Sequence, residues 1–317
     1  MTTTLDVITN PASGDAEPDL EILRAVFGDH GVQWELRKTE EAGDARRFAR
    51  QAADAGAEIV VAYGGDGTVG EVAGGLLGSD TALAIFPGGT ANVIALDLGI
   101  PDDIGQAAHL ACGRKSITDR MDVGVIDRED ADDLHFLWRL GIGFEAALIS
   151  DADRGKKDRL GFAAYVWAGL RNLGKSDVAA YRFVIDGNEI ETRGVSFAVA
   201  NSGTLGIPGL RWGSQISIRD GYLDVVVVEE FNLQALDAIL GQAFDGQFET
   251  ADEHDRAMRD YTSQIEGMLH HWQGREIEIH ADPLQSVQYD GEVLDGVTQP
   301  VRCRVLPQQL KVIVPVD

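Results

Sequence analysis

The pentapeptide GGDGT at residues 64–68 constrains this chain more than any other stretch. Before it, AEIVVAY (57–63) is apolar and β-branched and reads as a buried strand. After it, VGEVAGGLL (69–77) has helical spacing, with Val69, Val72 and Leu76 on one side. A strand, a glycine-rich turn and a helix in succession present backbone N–H groups to a phosphate. Gly64, Gly65 and Gly67 permit positive φ and let a ligand approach the backbone closely. Asp66, beside Thr68, puts a carboxylate in that turn, where it either caps the helix or orients Mg²⁺ or a donor phosphate.

The pattern recurs twice. TALAIFPGGTANVIALDLGIP (81–101) is an apolar strand, a Pro-Gly-Gly-Thr turn through Gly89, and a helix opening near Asn92. Thr90 and Asn92 supply a hydroxyl and an amide there, as caps or as ligand contacts. LDVITNPASG (5–14) is a strand running into Asn10, Pro11, Ala12, Ser13 and Gly14. In an open parallel sheet such turns gather at the carboxyl edge, where ligands bind. Thr39, ending the strand VQWELRKT (32–39), falls at the same edge.

Residues 1–125 alternate strands with helices read at 19–31, 43–56 and 103–113, which calls for a parallel sheet with helices on its faces. From about residue 120 strands dominate: 120–127, 135–148, a hairpin over 182–192 on Asp186-Gly187, 194–202, 215–220, 222–230, 275–281, 286–293 and 301–306. Helical stretches are read at 161–173 and through 232–272. The expected fold class is α/β: an N-terminal doubly wound parallel-sheet domain over 1–125 and a C-terminal β-sandwich over 126–306.

NPASG, TEEAGDA (39–45), GGDGTVGEVAGGL (64–76), PGGTANVIA (87–95), RDGYLDV (219–225) and YDGE (289–292) occur in this order. In them the chain resembles the diacylglycerol kinase catalytic-domain family, bacterial-type lipid kinases that include sphingosine and ceramide kinase relatives. The resemblance covers nearly the whole chain, with Gly70 standing where the family usually has Asn. It implies that residues 307–317, with the apolar LKVIVP, return to the first domain. It implies ATP held at Asn10, Pro11, Ala12, Ser13, Gly14, Thr39, Gly64, Gly65, Asp66, Gly67, Thr68, Glu71, Gly89, Thr90 and Asn92. It implies a structural Mg²⁺ on the carboxylate of Asp220, with Ser217 and Tyr222 through their main chain. An ordinary Asp-Gly hairpin turn is the other reading of that stretch. The family's proton acceptor lies in YDGE, where position favours Glu292, with Asp290 as partner or metal contact. The expected reaction is ATP-dependent phosphorylation of a hydroxyl on a diacylglycerol-like or sphingoid lipid at the membrane surface. A NAD kinase, sharing GGDGT and the two-domain plan, and a nucleotide- or lipid-binding protein without catalysis are the alternatives. Phe144, Phe162, Tyr165 and Trp167 are candidate linings for a lipid slot.

The net charge of −25 argues against nucleic acid as a partner and against a polybasic membrane anchor. No apolar stretch approaches the roughly 20 residues that span a bilayer, and no basic segment followed by an apolar run marks a signal peptide. The expected location is the cytoplasm, peripheral at the inner membrane face, with a homodimer left open. Cys112 and Cys303 match no metal spacing. GLRNLGKS (169–176) spells a P-loop, but without a strand before it and a helix after it, so Lys175 and Ser176 are expected in a solvated turn. His270 and His271 are expected on a helix surface, and RGKKDR (154–159) in a solvated loop, with contact to a lipid headgroup or phosphate as the other reading. The chain carries 52 acidic residues against 21 Arg and only 6 Lys. Such a surface suits a cytoplasm of very high salt, where screening removes self-repulsion. The melting temperature should therefore rise from dilute buffer into molar KCl; a flat salt titration would contradict this.

Overall fold

Apolar runs that alternate with short helices assemble here into a parallel sheet, and the strand-dense remainder into antiparallel sheets. The computed structural model describes residues 4–11, 19–128, 131–142, 178–229, 232–245, 248, 250–283, 287–293 and 299–316. Ala12, Ser13, Gly14, Phe144, Phe162, Tyr165, Trp167, the helix read at 161–173, and the RGKKDR and GLRNLGKS stretches lie outside the described residues. The chain divides into two units, Met1–Asp122 with Gln308–Asp317, and Val123–Pro307.

The first unit contains β1 (Thr4–Thr9), α1 (Leu20–Asp29), β2 (Gln33–Lys38), α2 (Asp44–Asp54), β3 (Ile59–Gly64), α3 (Asp66–Leu76), β4 (Ala82–Pro87), α4 (Val93–Asp97) and α5 (Ile104–Ala111). Its strands pair in parallel in the order β2-β1-β3-β4. Every residue of β4 is buried, as a parallel strand covered on both faces requires. Strand order reverses between β1 and β3, so the ligand crevice of this topology lies beyond their carboxyl ends. Helices α2 and α3 approach through small residues. A Cβ on Gly75 would lie 2.4 Å from the Arg46 carbonyl oxygen and 2.8 Å from Ala49 Cβ.

β5 (Ser116–Ile126) leads out of the first unit. The second unit holds β6 (Leu134–Phe136), β7 (Arg139–Ile142), β8 (Ala179–Ile185), β9 (Asn188–Gly194), β10 (Ser196–Ala200), β11 (Leu223–Val228), α6 (Leu233–Asp245), α7 (Ala251–Glu266), β12 (His270–Gly274), β13 (Glu276–Asp282), β14 (Val287–Tyr289) and β15 (Glu292–Val293). β16 (Val301–Pro315) begins there and ends in the first unit, where Val312 pairs in parallel with Leu83 of β4. One sheet of the second unit includes β16-β13-β8-β9, and the other runs β12-β11-β10-β7-β14-β15. They share a core of Tyr181, Phe183, Ile277, Ile279 and Cys303 against Phe197, Val199, Leu223 and Val225. The alternate residues Ala198, Ala200, Val226 and Val228 pack beneath Leu236, Ile239, Leu240 and Met258 of α6 and α7, with Leu205, Leu210 and Trp212. Burial on both faces explains why GVSFAVANS and LDVVVV are apolar without alternation.

Three expectations are corrected. Residues 215–220, read as a strand, form turns. Ser217 Oγ accepts from the Arg219 N–H at 3.3 Å and Asp220 Oδ1 from the Tyr222 N–H at 3.0 Å, and such local bonds compete with a sheet ladder. The helical reading through 272 stops at Glu266, and His270–Gly274 pair with β11. The strands read at 301–306 and 310–315 are one strand, carried past Pro307 by the bond from the Gln308 N–H to the fully buried Asp122 Oδ1 at 2.7 Å.

The contact at Gly75 makes a testable contrast with Gly70, where a Cβ would meet nothing within 4 Å. Gly75→Ala should cost about 1–3 kcal/mol through overpacking. Gly70→Ala should be neutral or stabilising by up to about 1 kcal/mol through helix propensity. Urea denaturation of both variants measures the difference.

Candidate active site

The two glycine-rich turns touch. The Gly88 N–H donates to the Gly64 carbonyl at 3.0 Å, one residue beyond the last β3–β4 register pair. A Cβ on Gly89 would stand 2.4 Å from Gly65 Cα, and one on Gly88 would stand 3.2 Å from Gly64 Cα and 3.3 Å from the Tyr63 ring. The glycines therefore serve close approach. The positive φ that Gly64, Gly65 and Gly67 permit is found in none of them, and falls instead on Asn92, at 49°. Asn92 holds that conformation with a two-bond ring, its Oδ1 accepting from the Gly89 N–H at 2.9 Å and its Nδ2 donating to the Gly89 carbonyl at 2.8 Å. Thr90 stands half-buried on the same turn.

α3 begins at Asp66 with no side-chain cap. Gly67 is exposed, with open space where a Cβ would be. An uncapped helix N-terminus facing open space is an anion site in waiting. Thr68 is buried one position on. The Asp66 carboxylate turns sideways and accepts from the Ile94 N–H at 3.2 Å, at the start of α4. Burial pushes its pKa up, opposed by the backbone N–H groups of residues 92–94. Asp66 thus ties the first glycine turn to the helix that follows the second.

The surrounding predicted residues brace this edge. The Thr39 N–H donates to the Thr9 carbonyl at 2.9 Å, closing the last β1–β2 pair just before Asn10 and Pro11. Glu71 accepts from the Gly43 N–H at 3.0 Å and the Ala45 N–H at 3.1 Å with its two oxygens, capping α2 from α3. Asp44 accepts from the Glu40 and Glu41 N–H groups and from Arg47, and the backbone bond from Glu40 is the main cause of its lowered pKa. TEEAGDA is therefore a tightly bonded corner, and nothing in its sequence reported the reach of Glu71.

In the second unit, Asp290 and Gly291 form the hairpin turn between β14 and β15, with φ of 46° and 87°. This is the primed turn that an Asp-Gly pair favours. The two acids part company there. Asp290 Oδ2 accepts from the Leu137 N–H at 2.7 Å, and its Oδ1 from the Trp138 and Arg139 N–H groups, each at 2.9 Å. Glu292 is exposed and its Oε2 accepts from the Tyr289 hydroxyl at 3.1 Å. Burial first, then the nearby Glu292 charge, pushes the Tyr289 pKa up to about 12, so the phenol stays a donor.

Asp220 is exposed, and its second oxygen, Oδ2, accepts from Gln273 Nε2 at 2.9 Å. Gly221 follows with φ of 78°, and the Arg275 guanidinium lies 4.9 Å from the Tyr222 ring centre. Among the described residues no group of three or more His, Cys, Asp or Glu is placed to hold a metal ion. Nearby, the fully buried Asp224 meets His271 Nε2 at 2.7 Å. His271 is thus exposed on a strand that pairs with β11, not on a helix surface; an acid inside LDVVVV was the available signal that a partner must exist.

Comparison with known proteins follows this division. Residues 4–126 match the Diacylglycerol kinase catalytic domain, and residues 139–314 match the YegS C-terminal NAD kinase beta sandwich-like domain. The chain belongs to the diacylglycerol kinase family of YegS-like lipid kinases. It is 28% identical over 313 residues to "Probable lipid kinase YegS" of Salmonella typhimurium, covering 95% of each chain. It is 34% identical over 230 residues to a YegS-like relative from Stenotrophomonas maltophilia, covering 67% of this chain and 69% of the relative. A solved diacylglycerol kinase from Bacillus anthracis superposes with a TM-score of 0.75 at 25% identity, covering 98% of this chain and 96% of that one. As a member of this family the chain is a kinase.

The Asp224–His271 pair sets a pH dependence. The bond to Asp224 raises the His271 pKa above its ordinary value, and burial raises that of Asp224. Both shifts make the folded state bind more protons than the unfolded one. The His271 contribution is fully present below the unfolded value of about 6.5 and is lost as pH rises through the raised folded value. The melting temperature should fall across that window, and His271→Gln should flatten the profile.

Proposed function

We propose that this kinase transfers the γ-phosphate of ATP to a hydroxyl of a diacylglycerol-like or sphingoid lipid, working from the cytoplasm at the membrane surface. The observation that carries the reading is the uncapped N-terminus of α3, with open space at Gly67, beyond the carboxyl ends where strand order reverses. ATP phosphates are assigned to the Gly64–Thr68 and Gly88–Thr90 turns, with Asn10, Pro11 and Thr39 beside them, Asn92 and Asp66 holding the turns in shape, and Glu71 bracing the neighbouring corner at the start of α2. Cradling and electrostatic stabilisation are most of what phosphoryl transfer asks of a protein.

Glu292 is assigned as the proton acceptor from the lipid hydroxyl. Tyr289 fixes one of its oxygens, leaving the other for the acceptor. Asp290, with three backbone donors on its carboxylate, is assigned to holding the turn that carries Glu292. The Asp220 carboxylate and the main-chain carbonyls of Ser217 and Tyr222 are oxygen ligands of the kind Mg²⁺ takes. Each Asp220 oxygen accepts one hydrogen bond and keeps a lone pair, so the residues fit such an ion. Mg²⁺ bound with ATP supplies neutralisation of phosphate charge. Among the described residues no helix is long and apolar enough to cross a membrane.

Incubation with labelled ATP and Mg²⁺, with a total lipid extract in one arm and NAD in the other, tests the assignment. A labelled lipid is expected; label on NAD alone would favour a NAD kinase, the activity named in the description of the C-terminal match. Label on neither, with ATP bound, would favour a binding protein. Glu292→Gln should lower turnover by about 10²–10⁴-fold, the usual general-base contribution, with ATP affinity nearly unchanged. Near-normal turnover would remove Glu292 from that role.

A further inference from the structure

The first unit carries a side-chain pair that the proposed reaction does not use. His30 Nε2 and His109 Nδ1 lie 3.1 Å apart, with the rings edge to face and their centroids 5.3 Å apart. His30 is the C-cap of α1 and His109 sits in the last turn of α5. The two helices run side by side in the same direction. Near their N-termini, Ile22 Cγ2 lies 3.6 Å from where a Cβ on Gly105 would stand. At their far ends the imidazoles meet, at the surface.

We propose that His30 and His109 form a two-histidine site for a divalent transition-metal ion of the zinc class, bridging the C-terminal ends of α1 and α5. Three observations converge on it. Two ligand nitrogens on one tetrahedral zinc, each about 2.0–2.1 Å from the metal, are about 3.3 Å apart. The imidazole nitrogens already stand at 3.1 Å, within a few tenths of an ångström of that separation. Both helix C-termini point at the site, and each carries roughly half a negative charge that favours a cation. The chain as a whole, at −25, concentrates cations around itself.

The existing hydrogen bond shows that the pair holds at most one proton between its facing nitrogens. Metal binding needs only that the donating ring move this proton to its other nitrogen, leaving two lone pairs for the ion, with water completing the shell. Imidazole ligands select zinc, nickel or copper over magnesium, which prefers oxygen. The site is therefore distinct in chemistry from the Asp220 turn. Its occupation would staple α1 to α5. The residue that opens α1, Asp19, already donates its N–H to the Tyr63 hydroxyl at 3.0 Å, next to the first glycine turn.

The test is calorimetric titration of the chelator-stripped full chain with zinc chloride, in excess Mg²⁺ to occupy oxygen sites. His30→Gln and His109→Gln keep a hydrogen-bonding side chain at each position but remove the ligand. One zinc per chain is expected, with affinity at least tenfold weaker in each variant and unchanged in His254→Gln. X-ray absorption at the zinc edge of the wild-type chain should show two imidazole nitrogens, a readout that does not depend on how the variants fold. No zinc uptake, uptake that both variants retain, or a zinc shell lacking two imidazoles would overturn the proposal.

Discussion

The backbone contact between Gly65 and Gly89 is the constraint on which the glycine-turn edge of the first unit depends. With no Cβ on either residue, the turns after β3 and β4 close on each other. Their closure sets where α3 and α4 begin, and Asp66 then locks the two helix starts together by capping α4. A side chain at Gly89 would stand 2.4 Å from Gly65 Cα and force the turns apart, against the tie that Asp66 makes between them. Asn92, not a glycine, takes the left-handed conformation, because its amide can bond both backbone groups of Gly89.

A second theme is the use of carboxylates as backbone clamps. Asp66, Glu71, Asp44 and Asp290 each accept main-chain N–H groups from residues beyond their immediate neighbours. Asp186 repeats the device: at its own Asp-Gly turn it accepts from the Arg275 and Glu276 N–H groups, each at 2.9 Å. A carboxylate with several backbone donors is held by them and positions a loop with little side-chain entropy. The acidic composition is thus partly architectural. In YDGE this separates two neighbouring acids by function, since one is saturated by the backbone and the other stays exposed beside a tyrosine.

The parallel sheet was legible because its cues are local: β-branched runs, glycine turns and helical spacing recur with short separations. The hairpin on Asp186-Gly187 was legible for the same reason. The turns over 215–220 were not, because QISI alternates like a strand while the Ser217 and Asp220 side chains take up the N–H groups of Arg219 and Tyr222. His270 and His271 were misread because their partners, Glu229 and Asp224, lie more than forty residues away and only tertiary pairing discloses them. The candidate site divides along the same line. The motifs named the residues, but which acid is free and which is bonded depends on Leu137, Trp138 and Arg139, about 150 positions distant.

β16 gives the fold a temporal consequence. Its first half belongs to the second unit and its last half pairs with β4, the second strand of the glycine-turn pair. During synthesis on the ribosome, β4 emerges more than two hundred residues before its neighbour. Until then its outer edge offers unpaired N–H and C=O groups, the kind of surface that recruits stray strands. The nascent first unit must therefore wait, guarded or at risk, for β16 before its sheet is complete.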